Sequence, residues 1–194
     1  MRMSREAMAE HHQEIVEVAA RMLRERGIKG TSVADLMQAA GLTHGGFYRH
    51  FESKDALVAE AVQSIHDTLV KRLETKADRA SEAGAVEDYV AKYLSQGHVA
   101  NPGVGCPMAA FGVEAARETA EVRRAFANGT QRTIDKLSAG LSGTPAERRT
   151  KAIRMFASLV GAVVIARAVG DGALSEEVLV ASREALGASA GRKR

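Results

Sequence analysis

Apolar side chains recur with helical spacing from near the start of the chain. Ile15, Val18, Ala19, Met22 and Leu23 fall at i, i+3, i+4, i+7 and i+8, one stripe on a helix predicted over about residues 8–26. Gly27 follows Arg24 and Arg26 and supplies a stop, with cations at the negative helix end. Thr31 and Ser32 offer N-cap oxygens to a short helix from about Val33 to Ala40, which buries Val33, Leu36, Met37 and Ala40. Gly41 closes it, and Thr43 caps a second short helix through Phe47 to about His50. Ser53 caps the next, whose apolar positions are Leu57, Val58, Ala61, Val62, Ile65, Leu69 and Leu73.

Residues 76–85 are small and polar and predict a break. Val86, Tyr89, Val90, Tyr93 and Leu94 form another amphipathic stripe. Gly97 to Pro107 holds two of the three prolines and reads as a loop. Helix resumes at Met108 and restarts near Thr119, with a stripe from Val122 through Phe126 and Ile134 to Leu141. Thr144 and Pro145 open a helix to about Val169 that is apolar on most of its circumference. Gly170-Asp171-Gly172 ends it. Ser175 then caps the last helix, with Leu174 and Leu179 spaced as a hydrophobic staple. No alternating strand pattern or repeat is present. The expected fold is all-α with about nine helices.

Composition narrows the function classes. A hydrophobic fraction of 45% and a charged fraction of 26% are ordinary for a globular chain, which excludes disorder as the main state. One cysteine excludes an intramolecular disulfide and fits a reducing compartment. The most apolar stretch, Met155 to Ala166, falls short of the roughly 18 residues of a membrane span. The polar N-terminus lacks a signal-peptide core, so a cytoplasmic location is expected. The six histidines (His11, His12, His44, His50, His66, His98) form no metal-ligand spacing, and adjacent His11 and His12 read as a solvated helix start. No metal, cofactor or enzymatic activity is expected.

The chemistry lies between Thr31 and Asp55. Two short capped helices around a glycine turn make a helix-turn-helix pattern. The second opens Thr43-His44-Gly45-Gly46, small enough for close approach to a duplex, with amides that favour phosphate oxygens. Phe47 and Phe51 anchor it in the core. Tyr48 and His50 point to other faces and can reach a DNA backbone, and Lys54 adds a positive charge. Residues 1–56 carry eight Lys/Arg and eight Asp/Glu, so only a local positive face, around Arg49 and Lys54, favours an anionic partner.

Thr31-Ser32-Val33, Leu36, Ala40-Gly41-Leu42-Thr43, Gly45, Phe47-Tyr48, His50-Phe51 and Ser53-Lys54-Asp55-Ala56-Leu57 together resemble the N-terminal domain of the TetR/AcrR family of transcriptional regulators. The resemblance covers residues 10–60, and Cys106-Pro107-Met108 resembles the start of a helix in one branch of that family. It implies a homodimeric regulator, more often a repressor, that binds a palindromic double-stranded operator and is released by a small effector. Thr31, Thr43, Tyr48, His50 and Lys54 would then contact phosphates, and His44 and Gly45 would face base edges. Ser32 and Arg49 complete the expected DNA-binding set.

The implied organisation is a helix-turn-helix domain at 1–55, a ligand-binding and dimerisation domain at 56–187, and a disordered basic tail at 188–194. The helices at 145–169 and 175–187 are the expected dimer contact, because the first is too apolar to bury only one stripe. Tyr89, Tyr93, Met108, Phe111, Phe126 and Phe156 are the candidate effector-pocket residues, and a largely apolar ligand suits them. Cys106, beside a helix N-terminus, is the one position for an alternative thiol-based redox or electrophile sensor. A helical DNA-architectural protein without an effector is the rival from another class.

Overall fold

The computed structural model describes residues 5–79 and 81–187. Nine α-helices and two short 3-10 helices account for their regular structure: α1 (Arg5–Arg26), α2 (Val33–Ala39), a 3-10 helix (His44–Arg49), α3 (Lys54–Arg79), α4 (Glu82–Tyr93), α5 (Gln96–Ala100), a 3-10 turn (Pro102–Val104), α6 (Pro107–Ala115), α7 (Ala120–Ala139), α8 (Pro145–Ala168) and α9 (Ala173–Ala185). The all-α expectation holds. The expected tail at 188–194 lies outside the described residues.

The expected punctuation governs most of the boundaries. Gly27 and Gly41 take φ of 74° and 70°, the left-handed geometry that ends α1 and α2. Ser32 caps α2 in a reciprocal box with Asp35, and Thr144 does the same for α8 with Glu147, where Pro145 occupies the first turn. Ser53 Oγ accepts the Ala56 amide at 3.0 Å at the start of α3.

Three boundaries differ from the sequence reading. The stretch 97–107 is not a simple loop. Ser95 Oγ accepts the His98 amide at 3.2 Å and starts α5, and Pro102 opens the 3-10 turn. The last helix starts earlier than Ser175: Gly172 is its N-cap, and Ser175 lies inside the first turn, buried. Leu174 is exposed while Leu179 is buried, so the expected staple is not made. The break expected over 76–85 is narrower, because α3 runs to Arg79 and Ser81 already caps α4 by accepting the Gly84 amide at 3.0 Å.

The chain divides into two compact units, Met1–Asp67 with Cys106–Gly129, and Thr68–Gly105 with Thr130–Arg194. This is not the division at residue 55 read from the sequence: α6 and the first half of α7 join the N-terminal helices. In the first unit Ile15, Leu23, Leu36, Met37, Phe47, Leu57 and Val58 are fully buried or nearly so, and Phe111 meets Phe126 edge-on at 5.3 Å. Gly129 on α7 lies so close to the buried His66 of α3 that a Cβ there would overlap the imidazole ring. In the second unit α8 and α9 pack together over Leu159, Val163 and Leu179.

Candidate nucleic-acid interface

The site is built on a six-residue helix that has little propensity of its own. Gly45 and Gly46 are poor helix formers, and six residues are too few to propagate an α-helix. The segment closes instead with 3-10 spacing: the Gly46 amide donates to the Thr43 carbonyl at 2.9 Å and the His50 amide to the Phe47 carbonyl at 2.9 Å. Its stability comes from below. Phe47 is fully buried, lies with its ring tilted 5.6 Å from that of Phe51 and meets Tyr48 edge-on at 5.2 Å. The turn that delivers it is held by Leu42, whose amide donates to the Met37 carbonyl at 2.8 Å.

With the two phenylalanines turned inward, the other face is open. Thr43, His44, Gly45 and Arg49 are exposed, and Tyr48 is 71% exposed, with a ring that a folded chain leaves in water only at some cost. Gly45 has nothing within 4 Å of where a Cβ would stand, whereas Gly46 faces Met37. Thr43 sits at the N-cap but its hydroxyl makes no capping bond, so it is free for another partner rather than spent on the helix, as the sequence reading had assumed.

Three expected contacts are placed differently. Thr31 is fully buried and its hydroxyl donates to the Gly27 carbonyl at 2.8 Å, so it is an internal brace and does not face a duplex. Ser32 is exposed, but both its amide and its hydroxyl donate to Asp35, at 3.1 and 2.6 Å. These bonds, first the hydroxyl and then the amide, hold the Asp35 carboxyl below the usual carboxylate range. Lys54 is half-buried, and its ammonium donates to the Ile28 carbonyl at 2.6 Å.

His50 is half-buried at the rim. Burial, followed by the nearby charges of His12, His11 and Arg49, pushes its imidazole below its ordinary value. His12 is not a solvated residue: it stacks on Phe51 at 4.5 Å and bonds Glu60 at 2.7 Å. Its spacing from these partners in sequence hides that contact. A shallow cavity of about 410 Å³ lies between α1 and α2, lined by Arg21, Met22, Glu25, Arg26, Asp35, Gln38 and Ala39.

The cavity touches none of the expected effector residues. Those six divide between the units: Met108, Phe111 and Phe126 in the first, Tyr89, Tyr93 and Phe156 in the second, where Tyr89 and Tyr93 lie 5.5 Å apart. Cys106 is buried at the N-cap of α6 and its side chain makes no capping bond. Among the described residues no three His, Cys, Asp or Glu side chains gather as metal ligands, and no helix is long and apolar enough to cross a membrane.

Residues 15–61 match the model of the family described as bacterial regulatory proteins, tetR family. The HTH-type transcriptional repressor KstR2 of Mycolicibacterium smegmatis is 36% identical over 73 residues, 38% of this chain and 36% of that protein. The match therefore spans about a third of the curated relative. Among solved structures, a transcriptional regulator from Rhodococcus sp. Rha1 is 26% identical with a TM-score of 0.72, over 91% of this chain and 94% of that one. A TetR transcriptional regulator from Legionella pneumophila shares the fold at 17% identity with a TM-score of 0.78, over 96% and 98%.

Proposed function

We propose that this chain, which belongs to the TetR/AcrR family by its N-terminal segment and its fold, is a homodimeric DNA-binding repressor released by a small effector. The relatives it matches are transcriptional regulators, not enzymes. The observation that carries the reading is the open face of His44–Arg49 held over the buried Phe47 and Phe51. His44 and Gly45 face base edges, and Thr43, Tyr48 and Arg49 bind phosphates, with His50 at the rim. Lys54 contributes through its remaining donors, since the Ile28 carbonyl accepts only one. Six residues read few base pairs, so a two-fold partner doubles the contacts, with recognition elements about 34–36 Å apart or a multiple of that.

The dimer contact is assigned to α8 and α9. Ile153, Val164 and Ile165 of α8, Val169 just beyond it, and Leu174 and Val180 of α9 are exposed, an apolar surface without a partner in one chain. The effector is a largely apolar molecule bound near the aromatic pairs Phe111–Phe126 or Tyr89–Tyr93. It acts only through different affinities for two states of the dimer.

Selection of bound duplexes from a random pool, with and without small molecules, tests the reading. A palindromic sequence recovered by the wild type and lost on ligand addition supports it. A palindrome that no small molecule releases would favour the architectural alternative. Recovery of no sequence would overturn both.

A further inference from the structure

The connection between α1 and α2 is braced by a residue from far along the chain. Glu114 of α6 accepts the Ile28 amide at 2.9 Å and the Lys29 amide at 3.1 Å, both on the same oxygen, Oε2. Its carboxylate also fills the space over Gly27, where a Cβ would collide with it. Gly27 takes φ of 74°, so this close approach and this backbone both demand glycine. A carboxylate just past a helix C-terminus is unfavourable towards the helix dipole. Here that cost is offset by charge-assisted bonds to two amides beyond the last turn.

The same five-residue turn is tied from two further sides. Lys54 at the start of α3 donates to the Ile28 carbonyl, and Thr31 donates to the Gly27 carbonyl. Thr31 directly precedes Ser32, the cap of α2. The turn thus sets where α2 begins, and α2 carries the Gly41 turn and the exposed segment. Glu114 lies beyond a bend in α6. Phe111 leaves helical geometry, with φ −145° and ψ 19°, while its ring stays buried against Phe126. Gly112, next in line, has the flexible Met108 side chain where a Cβ would stand. The buried Phe111 ring anchors the bend that leads to Glu114.

We propose that Glu114 is a positioning residue for DNA binding: its carboxylate, carried past the Phe111 bend, holds the Gly27–Thr31 turn and through it the start of α2. The proposal rests on the regulator reading above. Glu114 touches no base or phosphate, and it acts by fixing the frame that presents the segment His44–Arg49.

The test compares wild type, Glu114→Ala and Glu114→Gln in the full chain. It reads residue-resolved amide exchange together with affinity for the duplex that the wild type selects. In Glu114→Ala the Ile28 and Lys29 amides exchange about tenfold faster or more, as loss of a charge-assisted bond implies. Amides in the middle of α1 and α3 keep their protection, and DNA affinity falls at least several-fold. Glu114→Gln recovers most of both effects, because one oxygen accepts both bonds and the amide group retains one. Unchanged exchange at Ile28 and Lys29 in Glu114→Ala would overturn the brace. Faster exchange with unchanged affinity would overturn the positioning role. Protection lost throughout the unit, with affinity falling only in step, would reduce Glu114 to a general stabiliser and also overturn it. A wild type that selects no duplex would sink the regulator reading, while the exchange data alone would still report whether the brace exists.

Discussion

Large apolar side chains are exposed both on the segment His44–Arg49 and on α8 and α9, in different company. On the segment His44–Arg49 a lone tyrosine projects among Thr43, His44 and Arg49. On α8 and α9 the exposed large apolar residues are all aliphatic: Ile165 is 49% exposed and Leu174 54%. A ring with a hydroxyl among hydrogen-bonding neighbours suits a hydrated, charged partner, which rewards polar contacts. An aliphatic face suits a dry contact with another of its kind. Exposure alone does not identify a partner; the neighbours of the exposed group do.

Substitutions on the two surfaces should have separable effects. The largest effect is expected from Phe47→Ala, which empties the support of the segment His44–Arg49. It should lower stability by about 3–5 kcal/mol and abolish DNA binding, as read by denaturant unfolding and duplex binding. Ile165→Glu should leave the helical content intact yet shift the chain from dimer to monomer in analytical ultracentrifugation, because the proposed contact would bury a charge. If the chain stays dimeric, α8 is not the interface. Tyr48→Ala should change stability by less than about 0.5 kcal/mol while weakening DNA binding on all sequences alike, and a variant at His44 should instead alter sequence preference.

The smallest effect is a pH dependence that sharpens the contrast between the units. His50 in the first and His98 in the second both have imidazoles held below the ordinary value, mainly by burial. For His98 the bond that Nδ1 donates to the Tyr93 carbonyl, at 2.7 Å, opposes this, and the charge of Arg167 adds to it. A depressed imidazole takes up its proton later in the folded chain than in the unfolded one. Both residues are neutral in either state well above about pH 6.5, so neither affects stability there. As pH falls below that value the unfolded chain binds more protons, and stability declines until the folded-state values are passed. Unfolding midpoints at pH 7.5 and 5.5 should therefore differ, and His98→Gln should flatten the slope more than His50→Gln, since His98 is the more deeply buried.

How much of this was legible in the sequence depended on whether the cause was local. A cap at Ser32, the stop at Gly41, and Thr144 with Pro145 act within a few residues, and each was readable, whereas the reciprocal bond from Asp35 was not read. The anchors Phe47 and Phe51 followed from a spacing of four. Thr31 was misplaced because a buried brace and an exposed phosphate ligand have the same side chain, and only packing separates them. Ser175 failed for a similar reason: Gly172 starts α9 early, and the serine is drawn inside. Glu114 and the stack of His12 on Phe51 left no signal at all, since their partners lie 86 and 39 positions away in the numbering of the chain. The apolar excess of α8 was visible, although its unusually even distribution hid which side faces inward.

The short segment between Thr43 and His50 also has a consequence for how such chains diversify. Its ballast is a single inward ring, while His44, Gly45, Tyr48 and Arg49 take no part in packing the interior beyond an edge contact from Tyr48. Gly45 even has vacant room where a larger side chain could grow. Random drift at these outward sites leaves the scaffold intact, so a duplicated gene can acquire a new target long before it risks becoming an unfolded product.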